Sequence, residues 1–101
     1  MTVHARFAPS YNTAITVAPG AASASSTIGK GSKTICFTNL SAVLTYVRIS
    51  FAADGATASV ADYPILPNAQ RWVSKAQDAD TVSYIAPAGG GSLHIMPGEG
   101  F

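Results

Sequence analysis

The chain has 101 residues and a net charge of +1, and only 11% of its residues are charged. This length suits one domain, and the balanced charge excludes the basic surface that nucleic-acid binding requires. No stretch is apolar for long enough to form a transmembrane helix. We therefore expect neither a nucleic-acid nor a membrane partner, and a surface that is either small and polar or covered by other proteins.

The first third of the chain is poor in large apolar residues. Residues 13–17 predict a strand, whereas residues 18–32 consist mainly of Ala, Ser, Thr and Gly, with Ile28 as the one large apolar residue. This composition predicts a long loop, or an arm that becomes ordered on a neighbouring subunit. The single domain thus divides into an N-terminal strand with an arm or loop, 1–33, and a core with an extended C-terminal tail, 34–101.

The remaining residues alternate in the manner of β-strands. Ile35 and Phe37 fall on one face of a strand over 34–38, and a longer strand covers 43–51. Further strands are predicted at 70–74, 81–86 and 92–96, and the glycine-rich residues 88–91 predict a hairpin loop between the last two. Strand starts about ten residues apart predict an all-β fold, a small antiparallel β-sandwich or barrel of about six to eight strands with an irregular N-terminal arm.

Residues capable of catalysis or metal binding are scattered along the chain. Asp78 and Asp80 flank a turn, and two carboxylates alone give calcium too few oxygen ligands. His4, Cys36 and His94 lack the spacing of a metal site. A Cys36–His94 nucleophilic pair is an alternative, but a mid-strand cysteine is more commonly a small buried apolar residue. We expect no enzyme activity, no metal and no cofactor.

Four aromatic residues favour a second class of function. Trp72, Tyr46, Tyr63 and Tyr84 would form a carbohydrate-binding module if at least two of their rings were exposed on one face of a sandwich. The same rings would instead fill a core that is short of leucine if they were buried.

Roughly the last 60 residues of the chain contain motifs that resemble those of known proteins. The strand Leu-Thr-Tyr-Val-Arg-Ile-Ser over 44–50 is followed by Asp-Tyr-Pro-Ile-Leu-Pro-Asn over 62–68. The chain ends in Leu-His-Ile-Met-Pro-Gly-Glu-Gly-Phe over 93–101. This region resembles small structural proteins encoded in the head-gene clusters of tailed bacteriophages and phage-like particles, and the Pro-Gly-Glu-Gly-Phe ending carries most of the likeness.

The resemblance implies a small β-sandwich on the outside of an icosahedral capsid, acting as a decoration or cement protein that stabilises the head. A base for a head fibre or spike is implied equally. The expected partner is the major capsid protein, and the expected location is the virion after synthesis in the host cytoplasm. Decoration proteins of this kind occupy three-fold junctions, so a homo-oligomer is expected, with a trimer favoured.

We predict that the arm and the tail contact neighbouring chains. The candidate interface residues are Ile28, Pro97, Glu99 and Phe101. The arm is too poor in apolar residues to fold alone, and the tail should break at Pro97 and stay pliable at the glycines around Glu99. Phe101 would either dock in a neighbour's groove or close the bottom of its own sandwich.

Overall fold

The computed structural model describes residues 8–9, 13–28, 31–51, 55 and 57–99. These residues contain no helix that could cross a membrane. Within them the chain forms nine strands: β1 (Ala8–Pro9), β2 (Ile15–Val17), β3 (Ala24–Thr27), β4 (Thr34–Asn39), β5 (Thr45–Ser50), β6 (Tyr63–Ile65), β7 (Gln70–Ser74), β8 (Thr81–Ile85) and β9 (Leu93–Glu99).

The strands form two antiparallel sheets, which confirms the predicted all-β sandwich. In the first sheet, β1 and β2 both pair with one edge of β9, and β4 and β7 follow on its other side. The second sheet has the order β3-β8-β5-β6. The strands are more numerous than predicted because the structure adds short edge strands, such as β1 and β3, that lack large apolar residues.

The core lies between the two sheets and follows the alternation of the central strands. Ile35 and Phe37 on β4 are fully buried, as are Ile95 on β9 and Val82 on β8. Residues two apart on a strand share a face, so each of these strands turns its large apolar side chains inward. Burying one such side chain contributes about 1.5–3 kcal/mol, which makes this cluster the main source of stability.

Strand β3 lies inside residues 18–32, where a loop or arm was predicted. Its four residues pair with β8, from Ala24 opposite Tyr84 to Thr27 opposite Thr81. The pairing rests on backbone hydrogen bonds, which need no large side chains, so small residues can form a strand that hydrophobic alternation does not reveal. The segment therefore packs against its own chain.

The connection between β8 and β9 is not the predicted hairpin, because β8 belongs to the second sheet and β9 to the first. The chain crosses from one sheet to the other through Gly89 and Gly90, whose φ angles are 74° and 71°. Such positive φ values are accessible to glycine without strain. The glycines thus support a sheet-to-sheet crossing, which has the same sequence signal as a hairpin loop.

Strand β9 continues through Pro97 to Glu99, although the sequence predicts a break at the proline. Pro97 lies opposite Ile35 of β4. On its other side, the described residues of β1 and β2 pair only with residues 98–99 and 93–95. Proline is tolerated in a strand where no ladder hydrogen bond is required from its nitrogen. Pro97 lies between these two paired stretches of β9, so neither β1 nor β2 requires a hydrogen bond from its nitrogen.

Candidate interaction surfaces

The predicted interface residues do not form one exposed patch. Ile28 is 4% exposed in the core, where its backbone nitrogen donates to the Asp80 carbonyl oxygen at 2.7 Å. Pro97 is buried within β9. Glu99 is exposed, and its Oε2 accepts a hydrogen bond from the Lys33 backbone nitrogen at 2.9 Å. Phe101 lies outside the described residues. The side chain of Ile28 is thus committed to its own sandwich, because the pairing of β3 draws it inward.

At one end of the sandwich, the connections that the structure describes contain no charged residue. Four connections lie there: 18–23, 40–44, 66–69 and 86–92. The strand register brings them together, because β4 ends opposite the start of β9 and β5 begins opposite the end of β8. We call these four connections the uncharged end. The lack of charge in these loops matches one property of interface cores, which are depleted in charged residues.

Two leucines project from the uncharged end. Leu40 is 55% exposed and Leu66 is 50% exposed. Their loops are fixed by backbone hydrogen bonds. The backbone nitrogen of Leu40 donates to the carbonyl oxygen of Ser92 at 2.8 Å, and that of Asn68 donates to the carbonyl oxygen of Ser41 at 3.2 Å. The leucines are therefore presented on anchored loops, so little ordering entropy would be lost on binding a partner.

Asn39 holds these loops together from below. Its side chain is buried, and Nδ2 donates to the carbonyl oxygens of Val43 at 2.8 Å and Ile65 at 3.1 Å. Its Oδ1 accepts from the backbone nitrogen of Ser41 at 3.0 Å and from the Ser41 hydroxyl at 2.7 Å. Both donors and the acceptor are satisfied, as a buried amide requires. The loops of the uncharged end are thus joined through hydrogen bonds to one buried polar side chain, that of Asn39.

The opposite end gathers charged side chains around Lys75. The Lys75 Nζ donates to the carbonyl oxygens of Ala76, Gln77 and Ala79 at 3.1, 3.3 and 2.9 Å. Burial lowers the pKa of Lys75 below its ordinary value. The carboxylates of Asp78, Glu99 and Asp80 act in the opposite direction, less strongly. We call the connections 28–33 and 75–80 the charged end. The sandwich therefore has two chemically different ends.

A surface cavity of about 260 Å³ opens beside the charged end, where β3 ends and β8 begins. Its lining consists of Ser25, Ser26, Thr27, Phe51, Gly55, Thr57 and Thr81. The Thr81 hydroxyl donates to Asp80 Oδ1 at 3.1 Å, and Ser26 Oγ shares a 2.6 Å hydrogen bond with the Tyr84 hydroxyl. Five of these seven described lining residues carry a hydroxyl group, and none of the seven has an ionisable side chain.

The described residues of the connection 51–62 extend across the outer face of the second sheet. Ala58 donates from its backbone nitrogen to Ser23 Oγ at 2.8 Å, next to β3. Asp62 then forms an ion pair with Arg48 of β5, with 3.3 Å between Oδ1 and Nε. These two attachments hold one wall of the cavity in place, because Thr57 precedes Ala58 directly.

The four aromatic residues singled out from the sequence do not share one exposed face. Tyr84 is 6% exposed in the core, and Trp72 is 44% exposed on the first sheet. Tyr46 and Tyr63 lie on adjacent strands of the second sheet, where Tyr63 pairs with the inward-facing Val47. Alternation along the strands turns Tyr46 to the opposite face. This arrangement offers no platform of two stacked rings.

Cys36 and His94 lie on the outer face of the first sheet. Cys36 pairs with Met96, two residues from His94. Burial raises the pKa of the Cys36 thiol, and hydrogen bonds with the side chains of Thr38 and Gln70 act in the opposite direction, less strongly. A nucleophilic cysteine needs a lowered pKa, so this environment opposes the Cys36–His94 alternative. Within the described ranges, no three His, Cys, Asp or Glu side chains cluster as metal ligands would.

The exposed leucines and the hydroxyl-lined cavity were not identified from the sequence. The leucines had no local signal, but two loops of the uncharged end had one, because residues 13–28 and 86–98 contain no Asp, Glu, Lys or Arg. Their convergence depends on which loops share an end of the sandwich. The cavity offers no local signal, since its residues come from β3, β8 and the connection 51–62.

Comparisons with known proteins add little to this geometry. No protein-family model matches the chain, and no curated protein matches it. Among solved structures, the crystal structure of the Drosophila NLP-core, which gave insight into pentamer formation and histone binding, is similar with a TM-score of 0.40 and 14% identity. The match covers 84% of this chain and 95% of that one. At this level the similarity carries no argument about the function of this chain.

Proposed function

We propose that the chain is a bacteriophage virion structural protein, a capsid decoration or cement protein that binds the outer surface of the head and stabilises it. Support comes from the resemblance of residues 93–101 to phage head proteins and from the uncharged end with its two exposed leucines. The proposed role needs no catalytic group and no cofactor. A base for a head fibre or spike uses the same attachment and differs in what the free end carries.

The uncharged end is the surface proposed to face the capsid. Leu40 and Leu66 lose contact with water when a flat surface covers the four loops, and the loops bring no charge that must be desolvated. Burial of these two side chains removes apolar surface from water, and the fixed loops limit the entropy that is lost on binding. The charged end then faces solvent.

The proposed partner is the major capsid protein, and the proposed assembly is a homotrimer on the shell. In a closed ring every subunit uses the same surfaces for contact, so no subunit is left with a free binding surface. Density for single, unclustered copies in a cryo-EM map of the particle would contradict the trimer. Clusters of three at three-fold junctions are the expected result.

The decisive experiment measures attachment to particles that lack this protein. Leu40→Asp and Leu66→Asp each place a charge in the uncharged end, and each variant should bind at least about tenfold more weakly than the wild type. Val60→Asp is the matched control, because Val60 is 64% exposed but lies in the connection 51–62. Bound protein is quantified after the particles have been separated from free protein.

All three variants should unfold within about 0.5 kcal/mol of the wild type, because the substituted side chains are exposed. Lack of attachment by the wild type would overturn the decoration role. Equal attachment by the two leucine variants, together with loss of attachment in Val60→Asp, would move the docking surface to the other end of the sandwich.

A further inference from the structure

We propose that Cys36, His94 and Met96 bind a soft monovalent metal ion, such as Cu(I), on the outer face of the first sheet. His94 and Met96 lie on β9, and Cys36 lies on the neighbouring strand β4. The three side chains offer a thiol, an imidazole and a thioether, which are donor groups that copper accepts. Spacing along the sequence did not reveal this set, because two distant strands supply it. The proposal replaces the sequence-based expectation of no metal.

The strand register brings the three side chains to one side of the sheet. Cys36 lies directly opposite Met96, and Thr38 lies opposite His94. Residues two apart on a strand share a face, so Cys36 lies on the same face as both residues of β9. Met96 is therefore the direct cross-strand neighbour of Cys36, and His94 is its diagonal neighbour.

The separations within this set suit a single ion. The Cβ atoms of a direct cross-strand pair are about 5 Å apart, and those of a diagonal pair are about 7 Å apart. Residues 94 and 96, two apart on β9, are also separated by about 7 Å. A point above the centre of this triangle lies about 4 Å from each Cβ atom. The ends of all three side chains can therefore meet at one ion.

The hydrogen bonds of Cys36 place its thiol on this outer face. The thiol hydrogen-bonds with the side chains of Thr38 and Gln70, and Gln70 Nε2 itself donates to Thr38 Oγ1 at 3.1 Å. The sulfur therefore points along the outer face, beside the pair formed by Thr38 and His94, and not into the core between the sheets. Cys36 is 5% exposed, so water competes poorly for an ion bound to its sulfur.

His94 and Met96 are available as ligands. Both residues are half-buried. No described residue hydrogen-bonds to the His94 imidazole, so either ring nitrogen can bind a metal. The unbranched side chain of Met96 has several rotatable bonds, so its sulfur can move to meet an ion. The site thus has a fixed thiol and an adaptable thioether.

The donor set selects a soft monovalent ion. Thiolate and thioether sulfur favour Cu(I), whereas Mg(II) and Ca(II) require oxygen ligands. On binding, the S–H bond of Cys36 breaks, a sulfur–metal bond forms and the proton passes to water, while the ion keeps its oxidation state. One thiolate then neutralises the single positive charge, and the imidazole and thioether add none. A divalent ion would leave a net charge at this shielded position, which costs free energy.

The metal site is independent of the proposed attachment to a capsid. None of its three ligands lies in the four connections of the uncharged end. The variants Leu40→Asp and Leu66→Asp remove no donor atom, so both should bind the ion as the wild type does. Failure of one proposal therefore leaves the other in place.

The test is an NMR titration of the full, reduced and metal-free chain with Ag(I), a soft monovalent ion. The signals of Cys36, His94 and Met96 should shift together and saturate at one ion per chain. The dissociation constant, measured by competition with a chelator, should be below about 1 μM. Mg(II) should leave these signals unchanged. Zn(II) should bind at least about tenfold more weakly, because zinc sites use the sulfur of cysteine and not of methionine.

Three substitutions test the ligands. Cys36→Ala should abolish saturable binding, and Met96→Leu and His94→Gln should each weaken it at least about tenfold, which corresponds to about 1.4 kcal/mol. Trp72→Phe is the matched control, because Trp72 is the other cross-strand neighbour of Cys36 and offers no metal-binding atom. His4→Gln is the control for the other histidine of the chain. Both controls should bind as the wild type does, and thermal unfolding without the ion verifies that every variant is folded.

Three results would overturn the proposal. The first is the absence of a saturable shift at the three ligands when Ag(I) is equimolar with the chain. The second is unchanged affinity in folded Met96→Leu and His94→Gln, which would mean that the thiol alone binds the ion. The third is binding of Zn(II) as tight as that of Ag(I), which would show that the site does not select soft ions.

Discussion

Substitution of Asn39 tests the support beneath the uncharged end. Asn39→Ala removes the donor to the carbonyl oxygens of Val43 and Ile65, which leaves two acceptors at the base of the loops without this partner. A buried polar group without its partner costs about 1–3 kcal/mol. We expect Asn39→Ala to lower the free energy of unfolding by about 2–4 kcal/mol in urea denaturation.

The variant Asn39→Asp tests the donor group of the Asn39 amide while it retains the acceptor oxygen. An aspartate keeps an oxygen that accepts from the Ser41 backbone nitrogen. It places a second oxygen against the carbonyl oxygens of Val43 and Ile65, which in the wild type accept hydrogen bonds from Asn39 Nδ2. At neutral pH it should be at least as destabilising as Asn39→Ala, because the added charge is buried near acceptors. Stability within about 0.5 kcal/mol of the wild type for both variants would show that the hydrogen bonds contribute little.

The thiol of Cys36 should make stability depend on pH in the alkaline range. Its pKa is raised by burial above the ordinary value of 9.0, so the unfolded chain releases the thiol proton at a lower pH than the folded protein does. This contribution to stability is fully present below about pH 9 and is lost as the pH rises through the raised value. The stability difference between wild type and Cys36→Ala should therefore shrink from about pH 8 to about pH 10.

Urea denaturation at several pH values measures this effect, and Cys36→Ala removes the contributions of the other alkaline groups from the comparison. The folded wild type should also react much more slowly with a thiol reagent than the urea-unfolded chain at the same pH, since thiolate is scarce and the sulfur is buried. Equal reaction rates would contradict the buried environment of Cys36.

At the scale of elements, the β8–β9 connection is locked against the β2–β3 connection. Gly91 donates its backbone hydrogen to the Pro19 carbonyl oxygen at 3.0 Å. A Cβ atom at Gly91 would lie 2.8 Å from that oxygen and 3.2 Å from the Ala86 Cβ. Gly91→Ala should therefore separate the two connections and cost about 1–3 kcal/mol of stability in thermal or urea unfolding.

Gly20→Ala is the matched control for this substitution. Gly20 lies in the other of the two connections, and a Cβ atom there meets nothing within 4 Å. The control should be neutral or slightly stabilising, because alanine restricts the unfolded chain more than glycine does. Equal destabilisation by both substitutions would mean that the close approach at Gly91 is not the cause.

The strands with large alternating residues were predictable from the sequence. The predicted 70–74 coincides with β7, and the predicted 34–38, 81–86 and 92–96 overlap β4, β8 and β9. The prediction placed Ile35 and Phe37 on one face, and both side chains are fully buried. Side chains of this size show the two-residue period clearly, so both strand and face follow from the pattern.

The pairing of distant segments was not predictable in the same way. Strand β3 is held by β8 across more than 50 residues, and its small side chains give no period. The glycines before β9 allow a hairpin and a sheet crossing equally, and tertiary packing decides between them. The same reason hides Leu40 and Leu66, since each is an ordinary loop residue until the register places both loops at one end.

For the whole molecule, the separation of its two ends has a consequence for the forces of attachment. Contact through charged groups weakens as salt screens it, whereas contact through uncharged loops does not. Attachment to particles should change less than about threefold between low and physiological ionic strength. Sulfate salts should strengthen it, because they favour the burial of apolar surface. Calorimetry of the same binding should show a negative heat-capacity change, the signature of water released from apolar side chains.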